Sequence, residues 1–132
     1  MKANPPGRRE KILLVEDDSA VRTFMRDVLE ESGYHIWEAA DCSEALDIWQ
    51  ANAAQIDLLL ADLSMPGGLN GQELADKLRR ERPGLKVILM SGFVPDMMEA
   101  AQSSSCFLQK PFSPESLTEM VRSHLGSARL TG

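Results

Sequence analysis

Asp62 ends the most apolar stretch of the chain. Leu58, Leu59, Leu60 and Ala61 run straight into this carboxylate, and a loop rich in glycine and proline, SMPGGLNG, follows. A carboxylate carried into a protein interior is costly unless something compensates its charge. Asp62 is therefore either a solvated start to the loop or a group held for chemistry. Three more apolar runs end in the same manner. KILLVE ends in Glu16, with Asp17 and Asp18 behind it; KVILM is followed by Ser91 and Gly92, and SCFLQ by Lys110 and Pro111. Gathered in one crevice, these residues supply several carboxylates, a hydroxyl and an ammonium. Clustered carboxylates repel one another, and a hard divalent cation relieves the repulsion. A few oxygen ligands with room for water and a phosphate suit Mg²⁺ better than Ca²⁺, which takes more protein oxygens. An aspartate beside such a cation can attack phosphorus and form an aspartyl-phosphate. The cation and Lys110 then stabilise the oxygens of the transferring group, and Ser91 can hydrogen-bond a remaining one.

Such a crevice needs elements that bring the ends together. Five apolar runs, Lys11–Glu16, Tyr34–Ala39, Asp57–Ala61, Lys86–Met90 and Ser105–Gln109, alternate with amphipathic stretches. Three of the runs are continuous rather than alternating, as in parallel strands buried on both faces. The second run is the most polar and suits a place nearer an edge. Val21, Phe24, Met25, Val28 and Leu29 keep the spacing of one buried helical face, and Gly33 supplies the stop. Asp41 with Glu44, and Asn70 with Glu73, read as capping boxes before Ala45, Leu46, Ile48 and Trp49 and before Leu74 and Leu78. Ser113 and Pro114 open a last helix with Leu117, Met120, Val121, His124 and Leu125 on its face. Pro95–Gln102 is a marginal helix at best. Five βα units in a row predict an α/β fold, a doubly wound five-stranded parallel sheet of flavodoxin-like order 2-1-3-4-5. Ligands then sit at the carboxyl ends of the strands. Residues 1–10 read as a flexible lead-in, 11–126 as the domain and 127–132 as a tail.

Composition narrows the partners. The chain has 132 residues, 43% hydrophobic and 26% charged, which is enough for one domain with a real core. A formal net charge of -6 argues against nucleic acid and anionic membranes as partners and favours cations. Cys42 and Cys106 lie far apart and outside any CxxC pattern, so neither a disulfide framework nor a zinc site is expected. No apolar run reaches the roughly 18 residues of a membrane span, and Met1–Glu10 lacks the core of a signal peptide. These features place the protein in the cytoplasm. His35 and His124 have no partners at metal-ligand spacing and read as structural; Arg22 and Arg26 read as a solvated face, and Asp18 as a helix-terminal acid.

Four motifs in order, LLVEDD, ADLSMPGGLNG, ILMSG and KPF, carry a family resemblance over roughly Lys11 to Leu125. The chain resembles a receiver domain of two-component response regulators. The resemblance implies that Asp62 accepts a phosphoryl group from a histidine kinase or histidine phosphotransfer protein. Glu16 and Asp17 match the acidic pair, with Asp17 and Asp62 as direct Mg²⁺ ligands and Glu16 acting largely through water. Ser64 matches the residue that offers its backbone carbonyl to the metal. Ser91 matches the switch hydroxyl, Lys110 the phosphate-binding lysine and Phe107 the switch aromatic. The family docks its phosphodonor along the first helix. Such a domain is a phosphoacceptor rather than an enzyme, although it assists its own phosphotransfer and dephosphorylation.

Two departures stand out. The loop PGGLNG is one residue longer than the common pattern, a form that resembles receivers of hybrid histidine kinases. The stretch between Ser91 and Lys110 is short, which weakens the fourth helix and points to a monomer or a weak dimer. With the chain ending at Gly132, the expectation is a stand-alone regulator or a receiver excised from a hybrid kinase, signalling to an unknown downstream protein. Other readings compete. A flavodoxin-like binding module needs a hydroxyl-rich phosphate loop where this chain places acids. An aspartate-dependent phosphatase needs a second acid where Ser64 stands. The glycines at 67, 68 and 71 do not match the GxGxxG spacing of a dinucleotide site. A pseudo-receiver that is not phosphorylated is the remaining alternative, yet no part of the acidic set is missing.

Overall fold

The computed structural model describes residues 10–63, 70–91, 106–110 and 112–125. The lead-in before Glu10, Ser64, the glycines at 67 and 68, Gly92, the Pro95–Gln102 segment, Pro111 and the tail lie outside the described residues. Of Cys106, Phe107 and Gln109 only the backbone is described. The strands are β1 (Lys11–Val15), β2 (His35–Ala39), β3 (Leu58–Asp62), β4 (Lys86–Ser91) and β5 (Cys106–Gln109), in the order β2-β1-β3-β4-β5 with every pair parallel. The helices are α1 (Ser19–Glu31), α2 (Cys42–Asn52), α3 (Gly71–Glu81) and α4 (Pro114–Leu125), with a 3-10 turn at Ala53–Gln55. The polar strand β2 takes an edge.

The strands divide their side chains between two cores by strict alternation. Leu13 and Val15 of β1, Leu59 and Ala61 of β3, and Val87 and Leu89 of β4 pack beneath α2 and α3 with Ala45, Trp49, Leu74, Ala75 and Leu78. Ile12 and Leu14, Leu58 and Leu60, and Ile88 and Met90 face the other way, against Met25 and Leu29 of α1 and Leu117 and Val121 of α4. Helices therefore cover both faces, and continuous apolar strands follow from burial on both.

Helix ends match their sequence signals closely. Asp18 caps α1, its Oδ1 accepting from the amides of Ala20 (2.9 Å) and Val21 (3.2 Å). At the other end Gly33 takes φ 102°, a conformation that only glycine adopts cheaply. Its amide reaches the Glu30 carbonyl and the Tyr34 amide that of Leu29, the paired bonds of a Schellman stop. Asn70 and Glu73 form a complete capping box. The box at α2 is modified: Asp41 accepts from the Glu44 amide, but the Glu44 carboxylate reaches back to Ala40 instead of to the cap residue.

Two expectations for α1 need correction. Phe24 is exposed rather than core; it sits at the margin of the helical face and stacks on Phe112 with ring centroids 6.4 Å apart. Arg22 and Arg26 are not a merely solvated face, because both reach across to Glu38 on β2.

Candidate functional site

The alternation that builds the cores also assembles the polar cluster. Val15 of β1 stands opposite Ala61 of β3, so the next residues along, Glu16 and Asp62, leave the sheet side by side. Both continue the parity of the strand positions that face α1 and α4. Leu108 of β5 belongs to that core too, and Lys110 lies two residues beyond it. Backbone bonds hold these exits in place. The Glu16 amide donates to Ala39, the Leu63 amide to Met90, and the Lys110 amide to Ser91.

The side chains then meet. Lys110 Nζ lies 2.7 Å from Asp62 Oδ2 and 2.9 Å from Glu16 Oε1, although 94 residues separate Lys110 from Glu16. Glu16 is wholly buried and Asp62 is 6% exposed. The second Glu16 oxygen accepts from the Asp18 amide at 3.0 Å. Asp17 projects from the same turn, and one carboxylate oxygen from each of Glu16, Asp17 and Asp62 can be drawn so that all lie within 4.8 Å of one another. Ser91, also buried, ends β4 one residue past the Met90 that stands opposite Asp62.

Electrostatics match this crowding. Burial pushes the Glu16 carboxyl above its ordinary pKa and the Asp62 charge adds to the push, against the lowering effect of Lys110 and the Asp18 amide. Burial opposes the Lys110 ammonium, but hydrogen bonds to Asp62 and Glu16 outweigh it and hold the pKa above its usual value. One ammonium thus serves two of three carboxylates. The donor set is all hard oxygen and carries excess negative charge, so the residues present fit Mg²⁺. Glu16, Asp17 and Asp62 are the groups that would hold it.

Of the residues singled out in the sequence, Glu16, Asp17, Asp62, Ser91 and Lys110 stand together at the carboxyl end of the sheet. Ser64 lies outside the described residues. Phe107 is placed by its backbone alone, opposite Leu89. Two participants escaped the sequence reading. Arg22 Nη1 donates to the Glu16 carbonyl at 2.7 Å. Gly71 packs against the strand end so closely that a Cβ there would lie 2.3 Å from the Asp62 carbonyl oxygen. The sequence offers Gly71 only as a loop glycine off the GxGxxG spacing and Arg22 only as part of a solvated face. Among the described residues no helix is long and apolar enough to cross a membrane.

Comparison with known proteins agrees with this geometry. The family model for the response regulator receiver domain matches residues 12–122. The chain is 36% identical over 117 residues to the sensor kinase CckA of Brucella abortus, covering 86% of this chain and 12% of that protein's length. The crystal structure of the receiver domain of the hybrid histidine kinase CckA aligns with a TM-score of 0.75 at 38% identity, covering 87% of this chain and 98% of that one. The response regulator TrrA of Thermotoga maritima, crystallised in complex with Mg(2+)-BeF, aligns with a TM-score of 0.78 at 28% identity, covering 88% and 99%. From its strand ends to its family match, this chain belongs to the receiver domains of two-component response regulators.

Proposed function

We propose that Asp62 is the phosphoacceptor and that Mg²⁺ binds at Glu16, Asp17 and Asp62, with the Ser64 backbone carbonyl as a further ligand. The observation that supports this reading is the pairing of a nearly buried Asp62 with Lys110 beside two further carboxylates. The donor is a phosphohistidine on a histidine kinase or histidine phosphotransfer protein. In the transfer an Asp62 carboxylate oxygen forms a bond to phosphorus. The bond from phosphorus to the imidazole nitrogen breaks, and the imidazole leaves with its electron pair and takes up a proton. Lys110, fixed to β4 through its own amide, presents its ammonium where negative charge moves off Asp62 onto the phosphoryl oxygens. When bound, Mg²⁺ supplies the additional positive charge that phosphoryl transfer requires. Burial of Asp62 limits water near the phosphoryl group.

The domain is regulatory and assists the making and breaking of its own acyl phosphate. Ser91 moves toward the phosphoryl group, and Phe107 on the neighbouring strand turns inward to fill the space, passing the signal to a downstream protein. The chain acts as a monomer or a weak dimer. Incubation with acetyl phosphate and Mg²⁺, followed by intact-mass and peptide spectra, tests the reading. One hydroxylamine-labile phosphoryl group on Asp62 is expected, with none on Asp62→Asn. An adduct on serine or histidine, or one that persists in Asp62→Asn, overturns it.

A further inference from the structure

Between Glu16 and Arg22 the chain closes on itself. Glu16 Oε2 accepts from the Asp18 amide, and Asp18 Oδ1 accepts from the amides of Ala20 and Val21. The Asp18 carbonyl accepts from the Arg22 amide. Arg22 Nη1 then returns to the Glu16 carbonyl at 2.7 Å, while its Nε reaches Glu38 Oε1 at 3.3 Å. Arg26 holds the other Glu38 oxygen at 2.9 Å. Asp17 is inside this circuit and exposed, and among the described residues no hydrogen bond or ion pair holds its carboxylate. Its position is therefore set by the backbone on either side of it. The Glu16 carbonyl is the first beyond β1, where the sheet ladder no longer fixes the chain, and a charge-assisted bond from a guanidinium held at a second point replaces the ladder there. We propose that Arg22, braced by Glu38, is a positioning residue for the metal pocket: it fixes the Glu16–Asp18 turn so that Asp17 and Glu16 face Asp62. This rests on the Mg²⁺ reading above.

A planar guanidinium suits the task because it serves two separated acceptors in a fixed fork, which an ammonium does not. The test is a Mg²⁺ titration of the unphosphorylated protein, followed by the amide resonances of Asp17 and Asp62, with a thermal melt of each variant. Outer partners of metal ligands commonly govern affinity by 10–100-fold, so Arg22→Gln should raise the Mg²⁺ Kd about 10-fold. Arg22→Lys should fall between that variant and wild type. Arg26→Gln removes the same charge from the same helix without touching the Glu16 carbonyl, and screening should leave its Kd within about twofold of wild type. An unchanged Kd in Arg22→Gln, or an equal rise in Arg26→Gln, overturns the proposal. Should Arg22→Gln not fold, Arg22→Lys and Glu38→Gln decide it, since each must weaken Mg²⁺ more than Arg26→Gln does. Wild-type protein whose Asp17 and Asp62 resonances ignore Mg²⁺ overturns the metal reading itself, which is a different failure from an Arg22 variant that binds normally.

Discussion

The two ends of the sheet treat charge in opposite ways. At the amino ends of the strands several charged groups have their own neutral or singly matched partner. Trp49 Nε1 donates to Glu81 Oε1 at 2.8 Å, and Arg82 lies over the same indole, 5.6 Å from its ring centre, while reaching the Ala53 carbonyl. Arg79 Nε donates to the Leu85 carbonyl, and the Lys11 amide to Asp57 Oδ2. At the carboxyl ends three carboxylates crowd together, and one ammonium pairs with only two of them. Charges at one end are mostly matched singly; the other end is left with surplus charge that an added cation or a reaction can use. Proteins commonly accept such local cost where they bind or react. Each end also carries one glycine that makes the contrast concrete. A Cβ on Gly71 would meet the Asp62 carbonyl oxygen at 2.3 Å and the Leu63 Cα at 3.1 Å, whereas a Cβ on Gly84 would meet nothing within 4 Å.

The largest expected effect follows from that pair. Gly71→Ala pushes on backbone that cannot rotate away, and its cost falls at Asp62, the proposed phosphoacceptor. Overpacking of this kind costs about 1–3 kcal/mol, and displacing a reacting group by ~1 Å can cost about 100-fold in rate. Gly71→Ala should therefore lower the melting temperature and cut phosphorylation from acetyl phosphate by about 10-fold or more. Gly84→Ala, at a glycine without positive φ, should leave phosphorylation unchanged and stability equal or about 0.4–1 kcal/mol higher. A Gly71→Ala protein that phosphorylates like wild type would show that the strand end yields where the close approach says it cannot.

Next in size is Trp49→Phe at the opposite end. The indole is buried and its N–H is held by Glu81. Losing that bond and part of the ring should cost about 2 kcal/mol in urea unfolding. Mg²⁺ affinity should not change, because the lost contacts lie at the far end of the sheet. A shift in Mg²⁺ affinity would mean that the two ends are coupled. Cys42 offers a milder probe. Burial, followed by the charges of Asp41 and Glu73, pushes its thiol above the ordinary value. The thiolate is the reactive form, so Cys42 should alkylate slowly at pH 8 in the native protein and quickly in urea. Fast native alkylation would contradict its burial.

How much of this was readable in the sequence differs between the two ends. The apolar runs and capping pairs located β1, β3 and β4 to within a residue, because continuous burial and cap chemistry are local signals. Glu16, Asp17, Asp62, Ser91 and Lys110 were legible for a related reason: each follows an apolar run, and parallel strands bring such ends together. What was not legible depends on docking between elements. Arg22 looked like a surface residue because nothing local shows that Glu38 of β2 lies beside α1. Gly71 reads only as one of the loop glycines because the approach of α3 to Asp62 exists only in three dimensions. Phe24 satisfied the helical period yet lies at its margin, where one residue of rotation separates core from surface. The helical period places Trp49 on a buried face, but nothing local points to its bond to Glu81 on another helix.

The smallest effect tests the surplus charge itself. Asp17 shares the pocket with Glu16 and Asp62, and Lys110 pairs with those two. Like charges at the 4.8 Å outer limit of this cluster repel by about 1 kcal/mol in water and by roughly 3 kcal/mol near a protein surface. Asp17 is exposed, so the low figure applies. An opposing effect comes from α1, which begins at Ser19: an acid just before a helix gains about 0.3–1 kcal/mol from the helix dipole. Two carboxylates together repel Asp17 by about 2 kcal/mol and the Lys110 ammonium paired with them offsets about half of this, so the remaining ~1 kcal/mol stands slightly ahead of the dipole gain. Asp17→Asn should then melt about 1–2 °C higher than wild type without metal at low salt, and the gain should shrink as salt screens the charges. Adding Mg²⁺ should reverse the order, since binding to the native state stabilises the wild type by mass action and the variant far less. The two melting temperatures must cross as Mg²⁺ is raised. An Asp17→Asn protein that melts below wild type in chelator would place the helix dipole above the repulsion and remove the stability cost assigned to the carboxyl end.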